Sequence, residues 1–316
     1  MSATSTHIQD QADGITRVDL QALIALRARA GKPRARVTRV HTAVAGANVS
    51  ALRGRGMDYA ESRVYQPGDD ARNIDWRRTA RSGKWHTKLF QAEREHSQLL
   101  LVDTHPTMRF GTRARYKSVA AARAAAWLAW TLVRGGDRVG AMAFGGLDAA
   151  VGAHAGTRGA LAVLGALAHW DAQSPTVGES GEPLSAALMR AQRMAAHGSG
   201  VWLLSDGWCK DAGANAALAR LARSVDLRVV ILVDPLERSL APAGSYVFET
   251  ASGKRRAELV DARSRAQLRD RLANGWRGLV TACDAVSVPW TALATTDEPG
   301  VSLAALMRKR ARGRRG

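Results

Sequence analysis

Cysteine is nearly missing from this chain: Cys209 and Cys283 are its only two. With no CxxC pair and no disulfide framework, a cysteine-stapled scaffold is excluded, and the usage fits a reducing compartment. Long apolar runs are missing too. The most apolar helix candidate, "AAARAAAWLAWTLV", carries Arg123 and falls short of the roughly 20 apolar residues that cross a bilayer. The opening "MSATSTHIQDQADG" has neither a basic n-region nor an apolar h-region, so no signal peptide is expected. A soluble, cytoplasmic protein without a membrane span is the expectation. Signature motifs of catalysis are absent as well. There is no GxxxxGK[ST], HExxH or GxSxG and no Cys-His signature, so the chain itself should not hydrolyse ATP. "GRGMDY" has two glycines of a dinucleotide motif but lacks the third. Acids are in short supply: 28 Asp+Glu against 46 Lys+Arg leave a net charge of +18, which favours acidic partners and says nothing about fold.

What is present is enough apolar sequence to build a core: 46% of 316 residues, which excludes wholesale disorder. Aromatics are 5%, yet nine of them are Trp. Thr16 and Asp19 are spaced as a capping box before "LQALIALRARA". A basic segment follows, in which 34–45 reads as a strand, and 46–95 read as β-rich and loop-rich. From residue 97 apolar runs alternate with helical patterns. "SQLLLVD", "DRVGAMAFG", "GVWLLSD" and "LRVVILVDP" read as strands. "RYKSVAAARAAAWLAWTLVRGG", "TRGALAVLGALAHW", "PLSAALMRAQRMAAHG" and "ANAALARLARS" read as helices. Such alternation implies right-handed crossovers and a mostly parallel sheet with helices on both faces. Then come a hairpin about Gly253, a helix over 262–278, and a short strand "AVSVPW".

Two strands end in aspartate: "LLLVD" at Asp103 and "VWLLSD" at Asp206. In an open α/β sheet ligands bind beyond the carboxyl ends of the strands, where strand order reverses. If the two strands are neighbours, both carboxylates face one crevice, with Thr107 of "DTHPT" nearby. Oxygen ligands of this kind suit Mg²⁺. The plainer alternative is that both aspartates cap the helices that follow them.

Residues 54–112 carry, in order, Arg-x-Tyr, Pro-Gly-Asp, Arg-x-Ile-Asp-Trp, Ala-Arg-x-Gly and a strand ending in Asp. This succession resembles the von Willebrand factor A-like proteins of "domain of unknown function 58". The resemblance implies a Rossmann-like, doubly wound, mostly parallel sheet with a β-rich insertion before the first core strand. It implies four parts: a tail and short helix (1–33), a β-rich basic segment with the family motif (34–95), the von Willebrand A-like domain (96–290), and a C-terminal helix with a basic tail (291–316). It also implies a non-enzymatic adaptor that docks a MoxR-type AAA+ ATPase or its client.

Von Willebrand A domains hold a divalent metal, commonly Mg²⁺, through Asp-x-Ser-x-Ser, a later Thr and a later Asp. Carried over by resemblance, Asp103 matches the first Asp and Asp206 the late one. Thr107 stands at the second Ser and His105 at the first. The later Thr falls near Glu182. Two of these five positions depart, and a neutral imidazole suits transition metals better than Mg²⁺. Pro106 pushes His105 toward an extended conformation. Glu182 is either a ligand or the partner of His105 or a nearby arginine.

Pro67-Gly68 suits a type II turn. Glu61, Asp69, Asp70 and Asp75 lie among Arg63, Arg72, Arg77, Arg78 and Arg81. No nucleophile stands beside a base there, so an ion-pair network that fixes the insertion, with Trp76 and Trp85 packing, is the expectation. The last nine residues hold six cations and no acid. They read as a solvated, disordered electrostatic tail rather than a specific nucleic-acid reader, since no recognised reading motif accompanies them, and they suit weak contact with nucleic acid or another anionic surface. A nucleic-acid or phosphate-binding protein is therefore the second reading, and a metal-dependent hydrolase using Asp103 and Asp206 the third.

Overall fold

The computed structural model describes residues 13–31, 57–67, 69, 71–92, 96–173, 181–239, 241–250 and 253–309. The expected strand at 34–45, Gly68 of the expected turn, Asp70 and the end of the basic tail lie outside them. The chain divides into two compact units: 1–34 with 96–316, and 35–95.

The larger unit is built on a six-stranded sheet. Its strands are β3 (Ser97–Asp103), β4 (Arg138–Phe144), β5 (Ala149–Ala155), β6 (Gly200–Ser205), β7 (Asp226–Val233) and β10 (Trp290–Ala294), in the order β10-β7-β6-β3-β4-β5. All neighbours are parallel except β4 and β5. Counting core strands alone, this is the 3-2-1-4-5-6 order of a doubly wound Rossmann-type sheet, with one antiparallel edge. The first core strand is central. The chain steps outward through β4 and β5, then crosses back to lay β6 on the other side of β3.

Strand side chains divide by parity. Leu100, Val102, Ala141, Ala143, Trp202, Leu204, Val230 and Leu232 join one core, beneath α1 (Leu20–Ala25), α3 (Lys117–Arg134), α4 (Gly156–Gln173) and α10 (Pro299–Arg308). Leu99, Leu101, Met142, Phe144, Val201, Leu203, Val229 and Ile231 join the other, beneath α5 (Leu184–Met194), α6 (Ala214–Ser224) and α9 (Asn274–Ala285). Strands buried on both faces read as continuous apolar runs, which is why β3, β6 and β7 stand out in the sequence. Helix α3 is buried on nearly every side, and its alanines let the sheet and α4 approach closely. The Trp127 and Trp130 indoles donate to the carbonyls of Arg29 and Leu23, tying the N-terminal segment to α3.

Three expectations need correction, and one strand went unread. Strand β5 escapes the apolar pattern: "AAVGAHA" is small and alternately exposed, as befits an edge strand. The helix expected over 262–278 is two, α8 (Ala262–Leu272) and α9, divided at Ala273. The last strand begins at Trp290, five residues after the start of "AVSVPW". Asp19 alone caps α1 through Gln21 N–H, while the Thr16 hydroxyl donates to Asp13. The hairpin about Gly253 is β8 (Gly244–Thr250) with β9 (Gly253–Leu259).

In the smaller unit β1 (Met57–Val64) pairs antiparallel with β2 (His86–Ala92). Between them lies α2 (Trp76–Ser82), capped by the Asp75 carboxylate and closed by Gly83 at φ +69°. Asp75 also accepts from Ser62 Oγ, and Arg63 pairs with Asp69 at 2.6 Å. These acids are caps and ion-pair partners. Trp85 touches Tyr65 and Trp76, each at a centroid separation of 6.1 Å, yet both tryptophans are more than half exposed.

Trp202 is the test of the two-sided core. It is fully buried, donates to Gln98 Oε1 and lies under the Arg228 guanidinium. Trp202→Ala should cost about 3–5 kcal/mol, read as a lowered midpoint in denaturant unfolding.

Candidate functional site

Strands β3 and β6 are neighbours, so their carboxyl ends form the switch-point crevice of the sheet. Asp103 ends β3, and Asp206 directly follows β6. Both side chains are fully buried. Neither caps a following helix, since the N-cap positions of α3 and α6 are Tyr116 and Gly213.

Every carboxylate oxygen of this pair is engaged by protein donors. Asp103 Oδ1 accepts from the His105 backbone N–H at 2.9 Å and lies 2.7 Å from His105 Nδ1. Its Oδ2 accepts from Ser205 Oγ at 2.6 Å and from Cys209 Sγ at 3.4 Å. Ser205 Oγ in turn accepts from Gly207 N–H. Asp206 Oδ1 accepts from Trp208 N–H at 3.1 Å, with Thr107 Oγ1 at 3.5 Å. Its Oδ2 holds the ammonium of Lys117 at 2.6 Å, and that ammonium reaches Glu237 Oε1 at 3.0 Å.

Lys117 is 1% exposed. Burial alone would lower its pKa, but Asp206 and Glu237 outweigh that and raise it. The group is therefore a fixed internal cation. Burial raises the Glu237 pKa, with Lys117 opposing.

His105 is held as tightly. Its backbone is extended, at φ −61° and ψ 152°, as the following proline demands. Its ring meets Phe144 edge-on. A Cβ at Gly145 would lie 2.3 Å from His105 Nδ1, and one at Gly181 would lie 2.6 Å from Nε2. These two glycines make the slot into which the ring fits. Burial lowers the imidazole pKa; the hydrogen bond and charge of Asp103, with the charges of Asp206 and Glu182, reverse this and raise it above 6.5.

Of the five residues expected to form the site, Asp103, His105, Thr107 and Asp206 converge. Glu182 does not present a free carboxylate: Arg190 binds it through Nε at 3.2 Å and Nη2 at 2.6 Å. The oxygen-rich shell that Mg²⁺ requires does not fit this arrangement. An ammonium already occupies Asp206, a guanidinium occupies Glu182, and an imidazole replaces one hydroxyl. Among the described residues, the group of three or more His, Cys, Asp and Glu whose ligand atoms all lie within 4.8 Å of one another is Asp103, His105 and Cys209. Sequence reasoning missed Lys117, Ser205 and Cys209. A lone lysine opening an otherwise apolar helix was the available signal for the first.

Neither candidate nucleophile at this rim is activated. The Cys209 thiol is pushed well above its ordinary pKa by burial and by Asp103, so it is a poor nucleophile. Ser205 donates to a carboxylate rather than to an imidazole.

A family model described as "Protein of unknown function DUF58" matches residues 61–278. The chain belongs to this family. In this DUF58 protein the match begins within the insertion and runs through both strand ends of the switch-point crevice. Uncharacterized proteins of Mycobacterium tuberculosis and Mycobacterium bovis are 39% identical to it over 97 residues, 31% of this chain and 31% of each relative. The match thus spans about a third of the length of these curated relatives. Among solved structures, the conserved hypothetical protein BatB of Bacteroides thetaiotaomicron aligns at 11% identity and a TM-score of 0.39, over 67% of this chain and 97% of that one. A von Willebrand factor type A protein of Catenulispora acidiphila aligns at 14% identity and a TM-score of 0.35, over 70% and 43%. No described helix is long and apolar enough to cross a membrane.

The raised His105 pKa sets a pH dependence. A group whose folded pKa lies above its unfolded value stabilises fully below the unfolded value, near 6.5, and loses that contribution as pH rises through the folded one. With chelator present, the melting-temperature gap between wild type and His105→Gln should be widest in mild acid and narrow on going alkaline. A gap independent of pH would remove the Asp103–imidazolium pair.

Proposed function

We propose that this DUF58 protein is a non-enzymatic interaction module whose switch-point rim docks a MoxR-type AAA+ ATPase or that ATPase's client. One observation carries the reading: the crevice at the carboxyl ends of β3 and β6 holds Asp103 and Asp206 with all four oxygens engaged by protein donors. Such a site is built to be rigid. It has no activated nucleophile and no base poised over an open cavity, which speaks against the metal-dependent hydrolase. The reading needs no Mg²⁺ bridge. Thr107 is exposed and His105 partly so, and the two would be the contact groups. The net charge of +18 would speed encounter with an acidic ATPase surface.

A second reading has an observation of its own. Lys254, Arg255 and Arg256 on β9 and Arg263 and Arg271 on α8 are all exposed, and α8 buries no residue. This basic surface suits nucleic acid or another polyanion.

One experiment separates the readings: pull-down of a MoxR-type ATPase by the full chain, with and without chelator, before and after nuclease. Association that survives both treatments is expected. Its absence under every condition would end the adaptor reading, and loss on nuclease treatment alone would transfer the assignment to nucleic acid.

A further inference from the structure

We propose that Asp103, His105 and Cys209 form a binding site for a thiophilic transition metal, Zn²⁺ by its chemistry. The inference deepens the docking-rim reading and rests on it for the origin of the fourth ligand.

Three donors of different kinds converge from two loops. Asp103 and His105 come from the end of β3, two residues apart. Cys209 comes from the loop after β6, four residues beyond Ser205. Oxygen, imidazole nitrogen and sulfur are the three donor types of protein zinc sites. A tetrahedral ion with bonds of about 2.0–2.3 Å holds its ligand atoms roughly 3.3–3.7 Å apart. Here Asp103 Oδ2 and Cys209 Sγ are 3.4 Å apart and Asp103 Oδ1 and His105 Nδ1 are 2.7 Å apart. All three ligand atoms lie within 4.8 Å of one another. The two short contacts use different oxygens of Asp103, so binding an ion would re-aim one of them toward both the imidazole and the thiol.

The surroundings resemble the outer shell of a metal site. Ser205 Oγ donates to Asp103 Oδ2 at 2.6 Å and is itself held by Gly207 N–H at 3.0 Å. Metal-ligating carboxylates are oriented in this way. Gly145 and Gly181 bracket the imidazole, and Phe144 packs against it, so the ring is preset with Nδ1 toward Asp103. His105 and Cys209 are partly exposed, which gives an ion a path from solvent. The fourth position would take water, or a carboxylate or imidazole from the docked partner. Binding releases the thiol proton of Cys209 to solvent, and the imidazolium proton where His105 carries one. The same chemistry explains why His105 is out of place in an Mg²⁺ shell: imidazole suits Zn²⁺ and related ions.

Co²⁺ is the probe, because its spectrum reports ligand type. The purified full chain in reducing buffer should bind one equivalent with tetrahedral visible bands and a near-ultraviolet thiolate-to-cobalt band. Zn²⁺ should displace it and excess Mg²⁺ should not. Cys209→Ser should lose the thiolate band and Cys283→Ser should keep it. Ser205→Ala should keep the band while weakening affinity about 10–100-fold, as loss of an outer-shell partner does. No thiolate band in the wild type, or one that survives in Cys209→Ser, overturns the proposal. Both readouts use the chain alone, so this result is independent of the pull-down. Association without the band removes only the metal, and the band without association removes only the adaptor.

Discussion

A single ammonium holds the switch point together. Lys117 stands at the first turn of α3, with its charge inside the protein and two carboxylates against it. A buried carboxylate without a partner is too costly to keep ionised. Without Lys117, Asp206 and Glu237 would have to take up protons or move. Asp206 lies at the end of β6 and Glu237 in the short helix α7 (Pro235–Arg238) that follows β7. The lysine therefore ties the start of α3 to the carboxyl ends of two neighbouring strands. The N-terminus of a helix disfavours a cation through its dipole, so the position makes sense only with acids around it.

This internal cation shapes what the crevice does. In a metal-dependent adhesion loop a divalent ion would balance the two strand-end aspartates. Here Lys117 balances Asp206, and hydroxyl, thiol and imidazole donors satisfy Asp103. Asp206 is balanced by an internal cation, whereas the donors to Asp103 include two residue types that also ligate transition metals. That asymmetry links the absence of an Mg²⁺ shell, the depth of the acids and the proposed thiophilic site.

Much of the fold was legible because strands covered on both faces leave an unmistakable record. "LLLV", "VWLL" and "RVVILV" have no other home than the middle of such a sheet. Strand β5 was illegible for the converse reason: as an edge strand it needs only half-burial, and small residues supply that without periodicity. The α8–α9 division was hidden because helical spacing continues through Ala273 while the axis changes. At the site, Asp103 and Asp206 were legible as strand-end acids, and Pro106 foretold the extended His105. Lys117, Ser205 and Cys209 were not, because each acquires meaning only from what faces it across 89 to 106 residues of chain. Glu182 showed the same limit. Its two fates were visible in the sequence, and the choice between them was made by Arg190, nearly two turns beyond the start of α5.

The most direct measurement is the stability of Lys117→Met beside that of the triple variant Lys117→Met, Asp206→Asn, Glu237→Gln, by denaturant unfolding. Removing one partner of a buried ion pair leaves an uncompensated charge and should cost about 3–5 kcal/mol. Neutralising all three groups should recover a substantial part of that. A Lys117→Met protein within about 0.5 kcal/mol of wild type, the range of an ordinary surface change, would contradict the central role given to this ammonium.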